Sequence, residues 1–94
     1  MQQIRAAIIG YGNIGKHVLA ALLASPDFDV GGVVRRDASH VPAELKNISV
    51  VDDIRKLSGI QVAILCIPTR SVEKFAKEIL ALSINTVDSF DIHG

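Results

Sequence analysis

The protein of 94 residues has one cysteine, no tryptophan and only 4% aromatic residues. A single cysteine excludes an internal disulfide and a zinc site built from several cysteines, and it fits a reducing compartment. Ten basic and ten acidic residues leave no formal net charge. Without an excess of positive charge there is no broad field to hold nucleic acid or an anionic membrane surface. We therefore expect a cytoplasmic protein that binds neither of them, and we predict no metal site.

Long hydrophobic runs are absent as well. The apolar run before Gly10 is much shorter than the ~7 to 15 residues at the centre of a signal peptide or the ~20 of a membrane span. Hydrophobic residues nevertheless make up 49% of the chain. That share is high for one small domain, since small domains have proportionately more surface to cover with polar side chains. We expect one core, and some apolar surface that contacts a partner.

Short apolar runs alternate with stretches of helical spacing. The predicted strands cover residues 6–9, 28–34, 48–51, 62–67 and 85–88. The first predicted helix shows its apolar spacing from Ile14 onward. Two further helices are predicted after residues whose side chains can cap them, Asp52 or Asp53 and Thr69 or Ser71. Strands buried on both faces and separated by helices are typical of a parallel sheet. The fold class is therefore α/β, a Rossmann-type parallel sheet of about five strands flanked by helices.

Three segments carry more detailed expectations. Gly31 and Gly32 weaken the second strand and indicate a bulge or close packing. Residues 37–47 are polar, contain a proline, and are predicted as a surface loop with at most one helical turn. The last helix is predicted to pack against the sheet through an apolar face formed by Val72, Phe75, Ala76, Ile79 and Leu82.

The glycine-rich segment after the first strand carries the functional signal. Residues 10–15 fit the pattern G-x-G-x-x-G, between a buried strand and the start of a helix. In such a motif Gly10 permits the tight turn, Gly12 lets a pyrophosphate reach the backbone, and Gly15 lets helix and strand pack closely. The free amides at the helix start would bind the anion. The pattern predicts dinucleotide binding, and a plain structural turn is the alternative.

The end of the second strand bears on the choice of dinucleotide. Sheets that bind NAD usually place an acidic residue there to accept hydrogen bonds from the ribose 2′-hydroxyl. This sequence has Arg35 and Arg36 instead, and a guanidinium can hold a 2′-phosphate with two hydrogen bonds. We predict NADP as the cofactor. Two alternatives stay open: Asp37 could face the ribose, or the arginines could be solvated surface residues.

Four segments together resemble the N-terminal part of the meso-diaminopimelate dehydrogenase family: the glycine motif, VVRRDAS, CIPTRSVEKFA and the terminal NTVDSFDIHG. The last segment makes the resemblance specific, because the broader family of glucose-fructose oxidoreductase-like and inositol dehydrogenase-like enzymes shares the others. The resemblance implies an NADP-dependent homodimer of lysine and diaminopimelate metabolism. Its reaction is the oxidative deamination of the D-centre of the small-molecule amino acid meso-2,6-diaminopimelate.

The resemblance also implies roles for individual residues. It places Tyr11, Gly12, Asn13 and Ile14 on the pyrophosphate, Arg35 and Arg36 on the adenosine phosphate, Cys66, Ile67, Pro68 and Thr69 along the ribose and nicotinamide, and Asp91 near the reacting amino centre of the substrate. Cys66 would contact the cofactor through its backbone. No residue is assigned to proton transfer.

The chain length leads to a further expectation. Doubly wound sheets often have six strands, and this sequence stops just past the fifth. Residues 1–94 would then be the dinucleotide-binding domain, with the substrate and dimerisation domain outside this sequence. These residues alone offer few groups to hold a substrate near the nicotinamide, so we expect no turnover from them. Two alternatives stay open: the NAD(P)-binding domain of a glucose-fructose oxidoreductase-like or inositol dehydrogenase-like enzyme, and a stand-alone dinucleotide-sensing module. The acidic segment SFDIHG favours an enzyme over a sensor.

Overall fold

The computed structural model describes residues 3–36, 41, 43–67 and 69–88, and it gives no side-chain description at residues 69–73 and 88. In chain order the elements are β1 (Ile4–Ile9), α1 (Asn13–Ala24), β2 (Phe28–Val34), β3 (Val50–Val51), β4 (Val62–Leu65), α2 (Thr69–Leu80) and β5 (Asn85–Asp88). Two short 3₁₀ helices, Ala43–Leu45 and Ile54–Lys56, lie on either side of β3.

The five strands form one sheet in the order β3-β2-β1-β4-β5, and every neighbouring pair is parallel. The predicted Rossmann-type sheet is confirmed. The chain moves outward from β1 through β2 to β3 and then returns to the other side of β1 to form β4. The strand order therefore reverses between β1 and β4, and sheets of this kind bind ligands outside the carboxyl ends of the strands at that reversal.

Both faces of the sheet are covered, as the apolar strands predicted. In β1, Ala6 and Ile8 point to one side and Ala7 and Ile9 to the other, since side chains alternate along a strand. All four are at most 2% exposed. On the face of Ala6 and Ile8, the core contains residues of α1 and Leu45 of the first 3₁₀ helix, and we call it the α1-side core. On the face of Ala7 and Ile9, the core contains residues of α2 and of the second 3₁₀ helix.

The glycine pair in β2 produces the predicted irregularity. Ala6 pairs with Val30 and Ala7 with Gly32, so Gly31 is skipped and the register between β1 and β2 shifts by one residue. The predicted bounds of β2 and β5 match the observed strands. Beyond the bulge the strands stay paired to their ends, with Ile9 opposite Val34.

Two strands are shorter than predicted. The sequence predicts a strand at 62–67, but β4 ends at Leu65. Its neighbour β1 ends at Ile9, and the amide of Cys66 donates to the Ile9 carbonyl at 2.8 Å as the last bond of the ladder. Beyond that point no strand residue of β1 is left to pair with. The predicted strand 48–51 is likewise reduced to Val50–Val51.

The apolar face of α2 is narrower than predicted. Thr69 is the first residue of the helix, not its cap, and the Val72 side chain lies outside the described residues. Ile79 is 1% exposed, whereas Phe75 is 36% and Leu82 is 41% exposed. Phe75 and Leu82 line a cavity of about 400 Å³ between α2 and the second 3₁₀ helix. Leu82 also lies beyond the last residue of α2, Leu80, so it is not part of the face of this helix.

Neither described helix has the combination of length and hydropathy that crossing a membrane requires.

Candidate functional site

The turn after β1 is built around Gly10. This residue has φ +88°, a left-handed conformation that side chains rarely adopt. Its amide donates to the Val34 carbonyl at 2.8 Å, which joins the turn to the end of β2. A Cβ at this position would lie 2.7 Å from the carbonyl oxygen of Cys66. Glycine is therefore required here both for the conformation and for the space.

The start of α1 faces open space. Gly12 is the N-cap residue, and no side chain caps the helix. A Cβ on Gly12 would meet no atom of the described residues within 4 Å. The first helical hydrogen bond runs from the Lys16 amide to the Gly12 carbonyl at 3.0 Å, so the preceding amides have no acceptor inside the helix. This is the arrangement in which a helix start binds a phosphate.

The carboxyl ends of β1 and β2 bring together residues that the sequence predicted separately. Arg35 directly follows β2 and is held by a hydrogen bond from its amide to the Val51 carbonyl at 2.8 Å. Its guanidinium carbon lies 5.9 Å from the centre of the Tyr11 ring, a cation–π distance. Arg36 is the next residue and is exposed. The glycine turn and the arginine pair thus lie at one edge of the sheet.

Glu44 is a member of this site that sequence reasoning missed. The Tyr11 hydroxyl donates to Glu44 Oε1 at 3.1 Å, across 33 positions of the chain. Glu44 lies in the 3₁₀ helix Ala43–Leu45, and Leu45 beside it is completely buried in the α1-side core. The sequence predicts a surface loop with at most one helical turn here, and the 3₁₀ helix is such a turn. The available signal was weak, because this stretch has two large apolar residues, Val41 and Leu45, and only Leu45 is buried.

The charges around Tyr11 favour a neutral phenol and an ionised carboxylate. Desolvation raises the pKa of Tyr11, and the hydrogen bond and negative charge of Glu44 raise it further, while Arg35 acts in the opposite direction. A hydrogen bond from its own backbone lowers the pKa of Glu44, as do the Tyr11 hydroxyl and the charges of Lys16 and Arg35. Near pH 7 Tyr11 therefore donates to an anionic partner.

The remaining predicted residues lie at the end of β4 or beyond the described part of the chain. Cys66 directly follows β4, is partly buried and packs against the α1-side core, while Ile67 packs against the other core cluster. Thr69 begins α2, and its side chain is not described. Pro68 and Asp91 lie outside the described residues. Among those described, no three His, Cys, Asp or Glu side chains form a group that could hold a metal ion.

Known proteins resemble this chain in sequence and in structure. The chain is 67% identical over 94 residues to a meso-diaminopimelate D-dehydrogenase from Bacteroides fragilis, a match that covers 99% of the chain and 31% of that relative. Diaminopimelate dehydrogenase of Corynebacterium glutamicum, solved in complex with DAP, superposes with a TM-score of 0.73 at 29% identity, covering 94% of this chain and 27% of that one.

An engineered D-amino acid dehydrogenase bound to NADP⁺ superposes with a TM-score of 0.67 at 29% identity, covering 93% of this chain and 27% of that one. The chain thus spans about a third or less of the length of these relatives. A family model described as an oxidoreductase family with an NAD-binding Rossmann fold matches residues 4–87. The glycine turn, the parallel sheet and this match agree, and the chain belongs to that oxidoreductase family.

Proposed function

We propose that the chain is the NADP-binding part of an oxidoreductase that oxidatively deaminates meso-2,6-diaminopimelate at its D-centre. The observation that carries the proposal is the 67% identity to the Bacteroides fragilis enzyme along 99% of this chain. The matched region covers 99% of the chain, and so it spans the stretch from the glycine motif through the arginine pair. The substrate and the turnover belong to the longer protein, because the chain covers only 31% of that relative.

The residues at the carboxyl edge fit a dinucleotide. A pyrophosphate would lie against the amides at the start of α1, where Gly12 leaves open space among the described residues. Tyr11, Asn13 and Ile14 would flank it, and Cys66, Ile67, Pro68 and Thr69 would follow the ribose and nicotinamide. When bound, the nicotinamide supplies the chemistry of accepting a hydride. The chain's own contribution is to bind and orient the cofactor.

The preference for NADP over NAD rests on the end of β2. Arg35 and Arg36 occupy the positions where NAD-binding sheets usually have an acidic residue. A guanidinium provides paired donors to a phosphate and would gain nothing comparable from a ribose hydroxyl. The Arg35 guanidinium also lies within cation–π distance of the Tyr11 ring, which places it beside the glycine turn. These features support a 2′-phosphate subsite on the two arginines.

The longer protein is proposed to be a cytoplasmic homodimer that serves lysine biosynthesis. Residues 1–94 would be its cofactor domain, and a separate domain would bind the far end of the substrate. Asp91 would orient the substrate ammonium by a charge-assisted hydrogen bond. This chain by itself should bind NADP without turnover, since orientation of the reacting carbon needs groups from the second domain.

Two measurements test the proposal. Isothermal titration of the 94-residue chain should give a lower Kd for NADP than for NAD by about tenfold or more, as expected for a charge-assisted phosphate contact. The longer protein should reduce NADP with meso-diaminopimelate, and the chain alone should not. Equal Kd values for the two dinucleotides would remove the role of the arginines. Turnover of another substrate class in preference to the diamino acid would remove the proposed reaction.

A further inference from the structure

Tyr11 contacts two groups of opposite charge at the carboxyl edge of the sheet. On one side its ring lies 5.9 Å from the guanidinium carbon of Arg35. On the other side its hydroxyl donates to Glu44 Oε1 at 3.1 Å. A carboxylate therefore lies next to the residue that, in the proposed function, supports the arginine of the 2′-phosphate subsite.

The Glu44 carboxylate is held in this place. Its neighbour Leu45 has no exposed surface and anchors the 3₁₀ helix Ala43–Leu45 in the core. The Tyr11 hydroxyl then fixes the side chain from the other end. Glu44 itself is exposed, so what places its carboxylate beside Tyr11 is the buried neighbour Leu45 and the hydrogen bond from the Tyr11 hydroxyl.

The charge of Glu44 acts on the same cations that an anionic cofactor would use. Lys16, in the first turns of α1, and Arg35, after β2, both act electrostatically on Glu44. By reciprocity, Glu44 partly neutralises both of them. A phosphate monoester carries roughly 1.5 to 2 negative charges near pH 7. It would meet a weaker positive field than two arginines and a lysine would create without the carboxylate.

We propose that Glu44 is a specificity-determining residue that opposes the 2′-phosphate of NADP at the Arg35 subsite. The inference rests on the proposed function. NADP and NAD differ at this end only by the 2′-phosphate, so like-charge repulsion from Glu44 raises the Kd of NADP more than that of NAD, which brings only its pyrophosphate into the field of Glu44. The residue limits the preference that the arginine pair establishes, and it keeps NADP binding readily reversible.

The substitution Glu44→Gln tests this directly, because glutamine keeps an oxygen that accepts from Tyr11 and removes only the charge. The Kd of NADP should fall by about three- to tenfold at low ionic strength, the size expected for one partly solvated charge over a short distance. The Kd of NAD should fall by a smaller factor, because NAD lacks the 2′-phosphate and feels the charge only through its pyrophosphate. The same comparison with 2′,5′-ADP and 5′-AMP isolates the phosphate end. In about 0.5 M salt the increase in NADP affinity caused by Glu44→Gln should be smaller, because screening shortens the range of the repulsion.

A matched control removes one negative charge elsewhere. Asp27 is exposed in the turn before β2, at the amino ends of the strands and thus at the opposite edge of the sheet. Asp27→Asn should leave both Kd values unchanged. Glu44→Ala gives a second neutral variant, and tighter NADP binding by Glu44→Ala also supports the proposal. Circular dichroism checks that each variant is folded.

The outcomes separate the two proposals. If the unsubstituted chain binds NADP no better than NAD, the proposed cofactor preference fails. If it prefers NADP but Glu44→Gln leaves the ratio of Kd values unchanged, the role of Glu44 is overturned while the proposed function stands. Weaker NADP binding by Glu44→Gln would also overturn it, since that result would make Glu44 a supporting residue.

Discussion

The carbonyl oxygen of Gly10 lies so close to the α-carbon of Gly15 that a Cβ placed on Gly15 would be 2.8 Å from it. The end of β1 and the first turn of α1 therefore pack main chain against main chain. This contact sets the start of the helix beside the carboxyl edge of the sheet. Gly12, two residues after Gly10, has open space around it instead. Two glycines of one motif thus have different physical reasons to be glycine.

Substitutions at these two glycines should separate stability from binding. Gly15→Ala should lower the free energy of unfolding by about 1 to 3 kcal/mol, because the opposing oxygen belongs to the backbone and cannot rotate away. Gly12→Ala should cost less than about 1 kcal/mol, the usual penalty for alanine at an N-cap. It should nevertheless weaken NADP binding by about tenfold or more, because a methyl group would occupy the space of the pyrophosphate. Urea denaturation and calorimetric titration check the pair. Equal losses of stability in both variants would contradict the distinction.

Arg35→Ala should weaken NADP binding by about tenfold to a hundredfold and leave the Kd of NAD within about twofold. The reason is the loss of a charge-assisted contact to a group that only NADP carries. Arg35→Lys should recover only part of the loss, since an ammonium lacks the paired donors of a guanidinium. Calorimetric titration with both dinucleotides measures the ratio of the two Kd values.

Arg55→Ala is the matched control for Arg35, because Arg55 is an exposed arginine paired with Asp53 on the second 3₁₀ helix. Its loss should leave the ratio of the two Kd values unchanged. An Arg35→Ala variant that weakens NAD as much as NADP would show that Arg35 has no selective contact with the phosphate.

Leu45→Ala should lower the free energy of unfolding by about 2 to 5 kcal/mol, as for other buried leucines. The side chain has no exposed surface and anchors the segment that carries Glu44. Leu23→Ala removes the same atoms from a side chain that is 63% exposed, and it should cost about 0.5 kcal/mol or less. Urea denaturation of both variants gives the comparison. Similar midpoints for the two would refute the anchoring role of Leu45.

Tyr11 can be titrated alone, because the sequence has one tyrosine and no tryptophan. Its phenolate absorbance near 295 nm should appear with a pKa above the usual value of about 10, in keeping with the raised pKa caused by desolvation and by Glu44. Since the folded-state pKa is raised, the contribution of this group to stability is present below the unfolded value and is lost as pH rises through the folded one.

Two variants should move the Tyr11 titration in opposite directions. Glu44→Gln should lower the pKa toward its usual value, because the negative charge is gone. Arg35→Ala should raise it further, because Arg35 opposes the shift. Spectrophotometric titration of the three proteins reports these changes, and identical curves would show that neither charge reaches the phenol.

Much of the fold followed from local pattern. The continuous apolar runs predicted buried parallel strands, and the strands at 28–34 and 85–88 were predicted at their observed bounds. The left-handed turn at Gly10 and the close packing at Gly15 also followed from the motif. The first is set by the backbone conformation of Gly10 itself, and the second by the Gly10 carbonyl oxygen five positions earlier in the chain. Such features depend on residues near one another in the chain. A single sequence contains them directly.

The sequence alone determined the order of the elements, the parallel character of the sheet and the place of the glycine turn, since these depend on local periodicity and backbone conformation. The tertiary structure decided which apolar residues were covered. Phe75 and Leu82 share the apolar spacing of buried Ile79, yet both are exposed and line an open cavity, and Leu82 lies beyond the end of α2. It also decided the contact between Tyr11 and Glu44, 33 positions apart. Hydrophobic pattern shows which side chains avoid water, but only the packed chain determines which element reaches them and which distant charge lies within hydrogen-bond distance.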